Sequence, residues 1–313
     1  MPPSRPDQTH RLGLPVEPIG SVANPLVKRA AGLRLRKYRE QQRAFLVEGA
    51  DLVIAGILSG ARPQVVFVLS GGPAARALQA GPEGSAPSGE SAGPLDADRT
   101  GSCDPGRIAG VLADVHVQPV TERVARKIST LETPPDVMAV FSSPVPPPLA
   151  TLTSPRSLVV YADHVADPGN LGTLLRSALA FGATAVATSP GCVDALSPKV
   201  VRASMGAVFG IPVYTETRVV DVCRGLGAAT VYGLAAHGGT NIGSLEVRLP
   251  AVLCVGAERA GLSPPVAALC EELVTIPLPG RGSCAAVESL NAGVAGSIAL
   301  YELSRRTACC IER

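Results

Sequence analysis

The chain has 313 residues, a length that favours about two domains. Hydrophobic residues make up 46% of it but aromatic residues only 3%, with no Trp, so the core must be built from Ala, Val, Leu and Ile. This composition suits layered α/β folds and argues against a protein that binds single strands mainly by aromatic stacking, whereas a net charge of +2 leaves the class of partner open.

The eight cysteines form no CxxC pair and no Cys/His cluster with zinc-finger spacing, so we expect free thiols and no metal site. The chain has no run of about 18 apolar residues, and its first 20 residues are rich in proline and carry charges. We therefore expect neither a membrane span nor a signal peptide. Together these features predict a cytoplasmic protein.

The N-terminal part is predicted to form a small α/β domain over residues 21–143, preceded by a flexible leader over 1–20. Residues 71–106 contain many Gly, Pro, Ser and Ala and almost no large apolar side chains, which predicts a disordered insertion. Elsewhere the apolar spacing predicts, in chain order, a helix over 24–42, a strand over 45–47, a helix that ends near residue 60, a strand over 64–70, and a strand, a helix and a strand within 107–141.

Residues 144–157 are rich in proline and are predicted to link this domain to a second one over 158–313. The second domain alternates short Val-, Ala- and Leu-rich strands with helical segments, a pattern that predicts a mostly parallel sheet covered on both faces. Its predicted strands are 157–163, 183–189, 211–216, 229–236, 251–257 and 273–278.

Three segments of the second domain follow strand ends, where open parallel sheets bind their ligands. In the first, residues 163–183, a strand ends at Asp163, a Pro-Gly-Asn-Leu-Gly turn follows, and a helix then carries Arg176. The glycines would allow a ligand to approach the backbone closely. An ordinary strand–turn–helix with a surface arginine is the alternative.

The second segment, residues 253–266, has a strand ending at Val255 and a loop with Gly256, Glu258 and Gly261 before a helix. A phosphate cradle would also use a glycine-rich loop after a strand. The fingerprints GxGxxG and GxxxxGKS/T are absent here, which disfavours that alternative.

The third segment, residues 274–303, has a strand ending at 276–278 and a loop, after which residues 289–291 open a long helix. The alternative for the polar residues at this helix start is that they are simple caps. The apolar stripe predicted for the helix is Leu290, Val294, Ile298 and Tyr301.

In order and spacing, the three segments resemble the signature motifs of the SpoU/TrmH family of RNA ribose methyltransferases, which belongs to the SPOUT superfamily. The resemblance covers about residues 158–305, and residues 24–49 resemble the family's substrate-binding domain, an L30e/L7Ae-like α/β sandwich. The matching motif positions are Asn170, Gly172 and Arg176 in the first, Gly256, Glu258 and Gly261 in the second, and Ile276, Pro277, Ser289, Leu290 and Asn291 in the third.

The resemblance implies an α/β protein in which a C-terminal SPOUT trefoil-knot domain follows a smaller L30e-like substrate-binding domain. It implies S-adenosylmethionine as the cofactor, held in a knot formed by the second and third motifs, and RNA as the substrate. It also implies a homodimer in which the first-motif arginine of one chain faces the cofactor of the other. The implied cofactor-binding residues are Leu234, Ala235, Gly256, Glu258, Ile276, Leu278, Ser289 and Leu290.

The catalytic residues implied by the same resemblance are Arg176, Asn170, Glu258, Ser289 and Asn291. A guanidinium stays protonated at neutral pH because its pKa is about 12 or higher. We therefore interpret Arg176 as stabilising the developing alkoxide and binding the adjacent phosphate. Asn170 would orient Arg176 or the ribose. Glu258 would pair with Arg176 or with the cofactor, and Ser289 and Asn291 would hold the hydroxyl.

A basic stretch in the N-terminal domain is the candidate RNA contact, because seven basic residues and one acidic residue can neutralise several phosphates. The alternative is a solvated helix face, but the resemblance to a substrate-binding domain favours RNA. The seven residues are Lys28, Arg29, Arg34, Arg36, Lys37, Arg39 and Arg43.

Two features depart from the family's usual pattern. The loop over 279–288 is longer, and its effect on the cofactor pocket stays open. Ala292-Gly293 stands where the family usually has Val-Ser, and a glycine in a helix costs about 1 kcal/mol relative to alanine.

The function that the resemblance favours is methylation of a ribose 2′-hydroxyl in rRNA, because the appended N-terminal domain is commoner among the family's rRNA enzymes. The alternatives are a tRNA 2′-O-methyltransferase, a non-catalytic RNA-binding relative and an enzyme that acts on a small molecule. The target nucleotide stays open, as does an antibiotic-resistance role.

Overall fold

The structure of the protein is a computed structural model that describes residues 17–80, 105–112, 115–278 and 289–309. The chain divides into two compact units, Met1–Ser142 and Ser143–Arg313, and each is described by itself below. None of the helices in the described ranges is long and apolar enough to span a bilayer.

Unit 1 is a four-stranded sheet with helices packed on it, in the strand order β1-β4-β2-β3. Strand β4 pairs antiparallel with β1 and β2, whereas β2 and β3 are parallel. The strands are β1 (Ala44–Glu48), β2 (Pro63–Leu69), β3 (Val117–Val120) and β4 (Val137–Ser142), and the helices are α1 (Pro25–Gly32), α2 (Arg36–Gln42), α3 (Ala50–Leu58), α4 (Pro73–Ala80), α5 (Pro105–Leu112) and α6 (Glu122–Ile128).

The single helix predicted over 24–42 is two helices, because the chain turns between α1 and α2. Leu33 is fully buried, and Leu35 has an extended backbone that ends the helical path. The break leaves carbonyl groups without helical partners. The buried Arg39 donates from Nη1 to the carbonyl oxygens of Leu33 and Arg34, at 2.7 and 2.9 Å. Arg39 therefore stabilises the turn from inside the fold.

The insertion predicted over 71–106 overlaps helices at both of its ends, and the leader predicted over 1–20 overlaps the fold at its C-terminal end. Residues 73–80 form α4, whose Ala74, Ala75 and Leu78 are buried, because small side chains let a helix pack closely on its neighbours. Residues 105 and 106, also within the predicted insertion, begin α5, and residues 81–104 lie outside the described residues. Ile19, predicted to be in the leader, pairs with Val120 and packs on the core of unit 1. Residues 1–16 lie outside the description.

Unit 2 has a seven-stranded, fully parallel sheet in the order β7-β6-β5-β10-β8-β11-β9, as the continuous apolar strands predict. The strand β9 was not predicted, because two residues carry no periodic signal. The strands are β5 (Leu158–Ala162), β6 (Ala185–Thr188), β7 (Val213–Tyr214), β8 (Thr230–Leu234), β9 (Thr240–Asn241), β10 (Ala251–Val255) and β11 (Glu272–Thr275), and the helices are α7 (Pro168–Ala180), α8 (Pro198–Ala203), α9 (Ala207–Gly210), α10 (Val219–Leu226), α11 (Pro264–Ala267) and α12 (Ala292–Cys309).

The proline-rich segment predicted as a linker packs against unit 2 along much of its length. Leu149–Leu152 form a 3-10 turn, and Leu152 is buried in the core. The hydroxyl of Tyr214 donates to the carbonyl oxygen of Pro147 at 2.7 Å. Part of the segment 144–157 therefore belongs to the packed structure of unit 2.

Helix α12 buries a different face from the predicted stripe. Val294 and Tyr301 are 45% and 49% exposed, whereas Leu300 and Leu303 are fully buried. The cause is close contact with α7, since a Cβ added to Gly296 would lie 2.2 Å from a methyl carbon of Leu174. The small residues of α12 thus face α7, and the larger ones turn to the sheet or to the surface. The helix also begins at Ala292, three residues later than predicted.

Candidate functional site

A pocket of about 100 Å³ lies where β8, β10 and β11 end, at the carboxyl edge of the unit 2 sheet. Parallel sheets bind ligands at this edge because strand-end loops and helix starts converge there. The residues predicted to hold a cofactor all line it: Leu234, Ala235, Gly256, Glu258, Ile276, Leu278, Ser289 and Leu290. The other lining residues, which were not predicted to bind the cofactor, are Gly261 of the second motif and Ala236, Val255, Ala257, Ala292 and Ala295.

The loop after β10 forms one wall of this pocket and consists largely of backbone. Ala257 and Gly261 exchange two backbone hydrogen bonds of 3.0 and 2.9 Å, which close the loop on itself. A Cβ on Gly256 would lie 2.2 Å from the carbonyl carbon of Gly261. The close approach of the two ends of the loop therefore requires glycine at position 256.

Glu258 joins the three motifs. Its Oε1 accepts hydrogen bonds from the side-chain amides of Asn170, at 2.8 Å, and of Asn291, at 2.6 Å. Glu258 makes no contact with Arg176 within the described residues of one chain. A carboxylate that accepts two N–H donors holds the first motif, the loop after β10 and the start of α12 in one arrangement.

Asn170 and Asn291 both bond Glu258 and both lie in the first turn or cap of a helix. Asn291 Oδ1 accepts a hydrogen bond from the backbone of Val294, so Asn291 caps α12 while its amide nitrogen reaches Glu258. Asn170 is 5% exposed. Asp167 caps helix α7, because its Oδ1 accepts a hydrogen bond from the backbone nitrogen of Asn170 at 2.9 Å. Helix α7 therefore begins at Pro168. The Pro-Gly-Asn-Leu-Gly segment, predicted as a turn before the helix, is the beginning of the helix itself.

Arg176 lies on the exposed side of α7, about two turns from the helix start. Within the described ranges its guanidinium has neither a hydrogen bond nor an ion pair. Because the amide of Asn170 is bonded to Glu258, Asn170 does not orient Arg176 in this structure. Ser289 is also exposed at the rim of the pocket.

Asp163 is a site residue that the sequence analysis did not select. Its carboxylate is fully buried at the end of β5, where Oδ2 accepts from the backbone nitrogen of Ser263 at 2.7 Å. Its Oδ1 lies 2.8 Å from Nδ1 of His164. Asp163 thus connects the first motif to the helix that follows the loop after β10. An acidic residue directly after an apolar strand was the available signal.

The seven basic residues predicted to contact RNA separate into three groups. Lys28, Arg36, Lys37 and Arg43 are exposed on unit 1. Arg39 is 5% exposed and holds backbone carbonyls, so its predicted RNA contact is wrong. Two others are exposed but make structural contacts: Arg29 donates to Gln42 and Gln64, and Arg34 donates to carbonyls at the end of α6.

We expect Glu258→Ala to lower the unfolding free energy of unit 2 by about 1–3 kcal/mol, because two amides lose a charged acceptor. Urea unfolding followed by circular dichroism measures this. Glu246→Ala removes an exposed carboxylate that has no side-chain contact in the described structure, and it is expected to change the free energy by about 0.5 kcal/mol or less. Equal losses in both variants would contradict the bridging role of Glu258.

Comparison with known proteins matches each unit to a family model. Residues 157–301 match the SpoU rRNA Methylase family, and residues 24–139 match the MRM3-like substrate binding domain. The boundaries of the two matches fall within unit 2 and unit 1, respectively.

Several relatives extend the similarity. A Streptomyces viridochromogenes 23S rRNA (uridine(2479)-2'-O)-methyltransferase is 34% identical over 182 residues, which cover 56% of this chain and 62% of that protein. The chain spans about half the length of most curated relatives that it matches.

Solved structures match over more of the chain. An AdoMet-bound rRNA methyltransferase from Sinorhizobium meliloti is 28% identical with a TM-score of 0.70, covering 92% of this chain and 97% of that one. A protein from Porphyromonas gingivalis assigned to the TrmH family of RNA methyltransferases is 32% identical with a TM-score of 0.66, covering 90% and 97%. With both units matched to the family's domains and its motifs assembled around one pocket, the chain belongs to the SpoU/TrmH family of RNA methyltransferases.

Proposed function

We propose that this protein transfers a methyl group from S-adenosylmethionine to a ribose 2′-hydroxyl of RNA, and that the RNA is ribosomal. The observation that carries the proposal is the junction at Glu258, where residues of all three motifs meet beside one pocket. Further support comes from the relatives, one named a 23S rRNA 2'-O-methyltransferase and one solved with AdoMet bound.

The chemistry of the pocket suits this cofactor. Its walls are aliphatic side chains and backbone, which accommodate an adenine ring, and Leu234, Ile276 and Leu278 would contact it. Among the described lining residues Glu258 is the one charged side chain, and its negative charge complements a sulfonium cation. When bound, the cofactor supplies an electrophilic methyl group.

The chain itself must activate a weak nucleophile. A ribose hydroxyl would release its proton to solvent water as the new bond forms, and a nearby guanidinium stabilises the negative charge that develops on the oxygen. Arg176, free of protein partners in the described structure, is available for this and for the adjacent phosphate. Ser289 at the pocket rim would hold the hydroxyl in position, and Asn291, bonded to Glu258, would shape the site.

The test is to incubate the purified protein and labelled S-adenosylmethionine with rRNA transcribed in vitro, and to map the methylated nucleotide. A transcript with 2′-deoxyribose at that nucleotide is expected to accept no label, because the acceptor oxygen is missing. Label that persists on the deoxy transcript would refute ribose methylation. Transfer to tRNA alone would replace rRNA as the substrate, and failure to bind the cofactor would favour a non-catalytic RNA-binding relative.

We also propose that the protein acts as a homodimer, in which Arg176 of one protomer faces the pocket of its partner. Support comes from an exposed apolar surface on the two packed helices that carry the first and third motifs. Leu179, Val294 and Tyr301 are 42–49% exposed, and the ring of Tyr301 lies edge-on to Phe181 with centroids 5.7 Å apart. A monomer would leave this surface in water.

We expect Tyr301→Glu to convert the dimer to a monomer, because it places a charge in an apolar interface. Sedimentation velocity measures the change. Leu269→Glu, at an exposed leucine after α11, is the matched control and is expected to leave the dimer intact. A Tyr301→Glu protein that sediments as the unchanged protein does would contradict this interface.

A trefoil knot and a cytoplasmic location complete the proposal. Leu278 and Leu290 line the same pocket although they lie on either side of the long loop over 279–288, which itself lies outside the described residues. This convergence is what threading of the second and third motifs would produce. Cys192, Cys223, Cys254 and Cys270 are unpaired, and burial raises the pKa of the Cys192 thiol, as suits a reducing compartment.

A further inference from the structure

Two apolar side chains stand exposed in the middle of the basic stretch of unit 1. Leu35 is 61% exposed and Tyr38 is 40% exposed, in and just before α2. The protein has only 3% aromatic residues, and most of the tyrosines and phenylalanines in the described structure are buried or half-buried. Burial in the core therefore does not explain a tyrosine at this place.

The fold holds this surface rigidly. The ring of Tyr38 packs on Gly32, whose added Cβ would lie 3.6–3.8 Å from Tyr38 Cβ, Cγ and Cδ2. Arg39 holds the turn from below through the carbonyl oxygens of Leu33 and Arg34. Because these contacts already order Tyr38, its side chain loses little conformational entropy when a partner binds.

The charges around Tyr38 select the class of partner. Lys37 directly precedes Tyr38 on α2, and Lys28 lies one turn before Gly32, on which the Tyr38 ring packs. Both lysines are exposed, whereas the neighbouring Arg36 is paired with Glu40 at 2.6 Å. The surface therefore combines positive charge with an aromatic ring. Duplex RNA offers phosphates but keeps its base faces stacked, whereas an unpaired segment offers both phosphates and free base faces. An unpaired segment therefore matches both features of the surface.

We propose that Leu35, Tyr38, Lys28 and Lys37 form a binding surface for an unpaired nucleotide of the RNA substrate, whose base stacks on the Tyr38 ring. This inference rests on the proposed function and adds to it that unit 1 selects single-stranded over paired RNA. It also changes the expectation from composition, because one well-placed aromatic residue is sufficient for a stacking contact.

The experiment measures binding by the full-length protein of a 12-nucleotide single-stranded RNA with a central 2-aminopurine, and of the duplex of the same sequence. Tyr38→Ala is expected to weaken single-strand binding about tenfold and to abolish the stacking-induced fluorescence change, with duplex binding unchanged. Tyr38→Phe keeps the ring and is expected to bind within about twofold of the unchanged protein. Lys37→Ala is expected to weaken both RNAs and to reduce the salt dependence.

Equal single-strand affinity for the Tyr38→Ala and Tyr38→Phe proteins would overturn the inference, as would an equal loss for duplex and single strand. Sedimentation of the Tyr38→Ala protein tests whether a second copy of the chain, and not RNA, occupies this surface. A changed oligomeric state with unchanged RNA binding would also overturn the inference. Binding is measured without methyl transfer. A protein that binds as expected but methylates no RNA would refute the proposed function and leave this inference standing.

Discussion

Arg176→Ala is expected to lower the rate of methyl transfer about 100- to 1000-fold while the affinity for S-adenosylmethionine stays within about twofold. The reason is that Arg176 does not line the described pocket and has no partner among the described residues, so its removal leaves the cofactor walls intact. What is lost is a charged donor for the oxygen that becomes negative in the transition state. Single-turnover kinetics and calorimetric titration of the cofactor measure the two effects separately.

Arg176→Lys is the matched control for charge. Lysine keeps the positive charge but lacks the planar fork that binds an oxyanion and a phosphate together, so an intermediate loss of rate is expected. If Arg176→Ala retains methyl transfer within about tenfold, Arg176 is not the group that stabilises the alkoxide. If the alanine variant loses cofactor affinity in proportion to rate, Arg176 belongs to the cofactor site instead.

Gly256→Ala is expected to weaken S-adenosylmethionine binding about 100-fold or more. The added methyl group would lie 2.2 Å from the carbonyl carbon of Gly261 and 2.5 Å from the backbone nitrogen of Leu262. Backbone atoms cannot move aside as a flexible side chain does, so the loop must open and lose its paired hydrogen bonds. That loop is a wall of the pocket, and calorimetric titration reports its loss.

Gly261→Ala provides a control in the same loop. No atom lies within 4 Å of a Cβ at this position, and the substitution meets only the strain of a positive φ of 68°. That strain is about 1–2 kcal/mol, so a loss of about tenfold is expected. Gly256→Ala binding as well as the Gly261→Ala protein would show that the close backbone approach does not shape the cofactor site.

Local pattern was sufficient for the framework of unit 2. The apolar runs that became β5, β6, β8 and β10 are continuous because both faces of a central parallel strand are buried, so their signal survives without knowledge of the neighbours. The loop residues of the three motifs follow these strands directly. Their meeting at one sheet edge was therefore foreseeable once the strands were parallel.

Helix faces were less predictable, because the partner decides which face is buried. The stripe expected on α12 counts large side chains, yet Gly293 and Gly296 face α7 and allow its close approach. Gly293 would place a Cβ 3.1–3.3 Å from Thr173 and Asn170, so this departure from the family's pattern lies at the contact between two motif helices. In unit 1 the alanines of α4 do not by themselves predict a buried helix face, because their burial also depends on the neighbouring elements.

Hydrophobic periodicity along the chain was enough to predict the two α/β units and the parallel sheet, whereas eight of the residues around the pocket were expected only from the resemblance to the SpoU/TrmH family. Packing in three dimensions decided that Glu258 bonds two asparagines of its own chain, and that Arg39 is buried while Tyr38 is exposed. Such pairings join residues up to 88 positions apart, and no local rule specifies which of several polar groups will reach a given carboxylate.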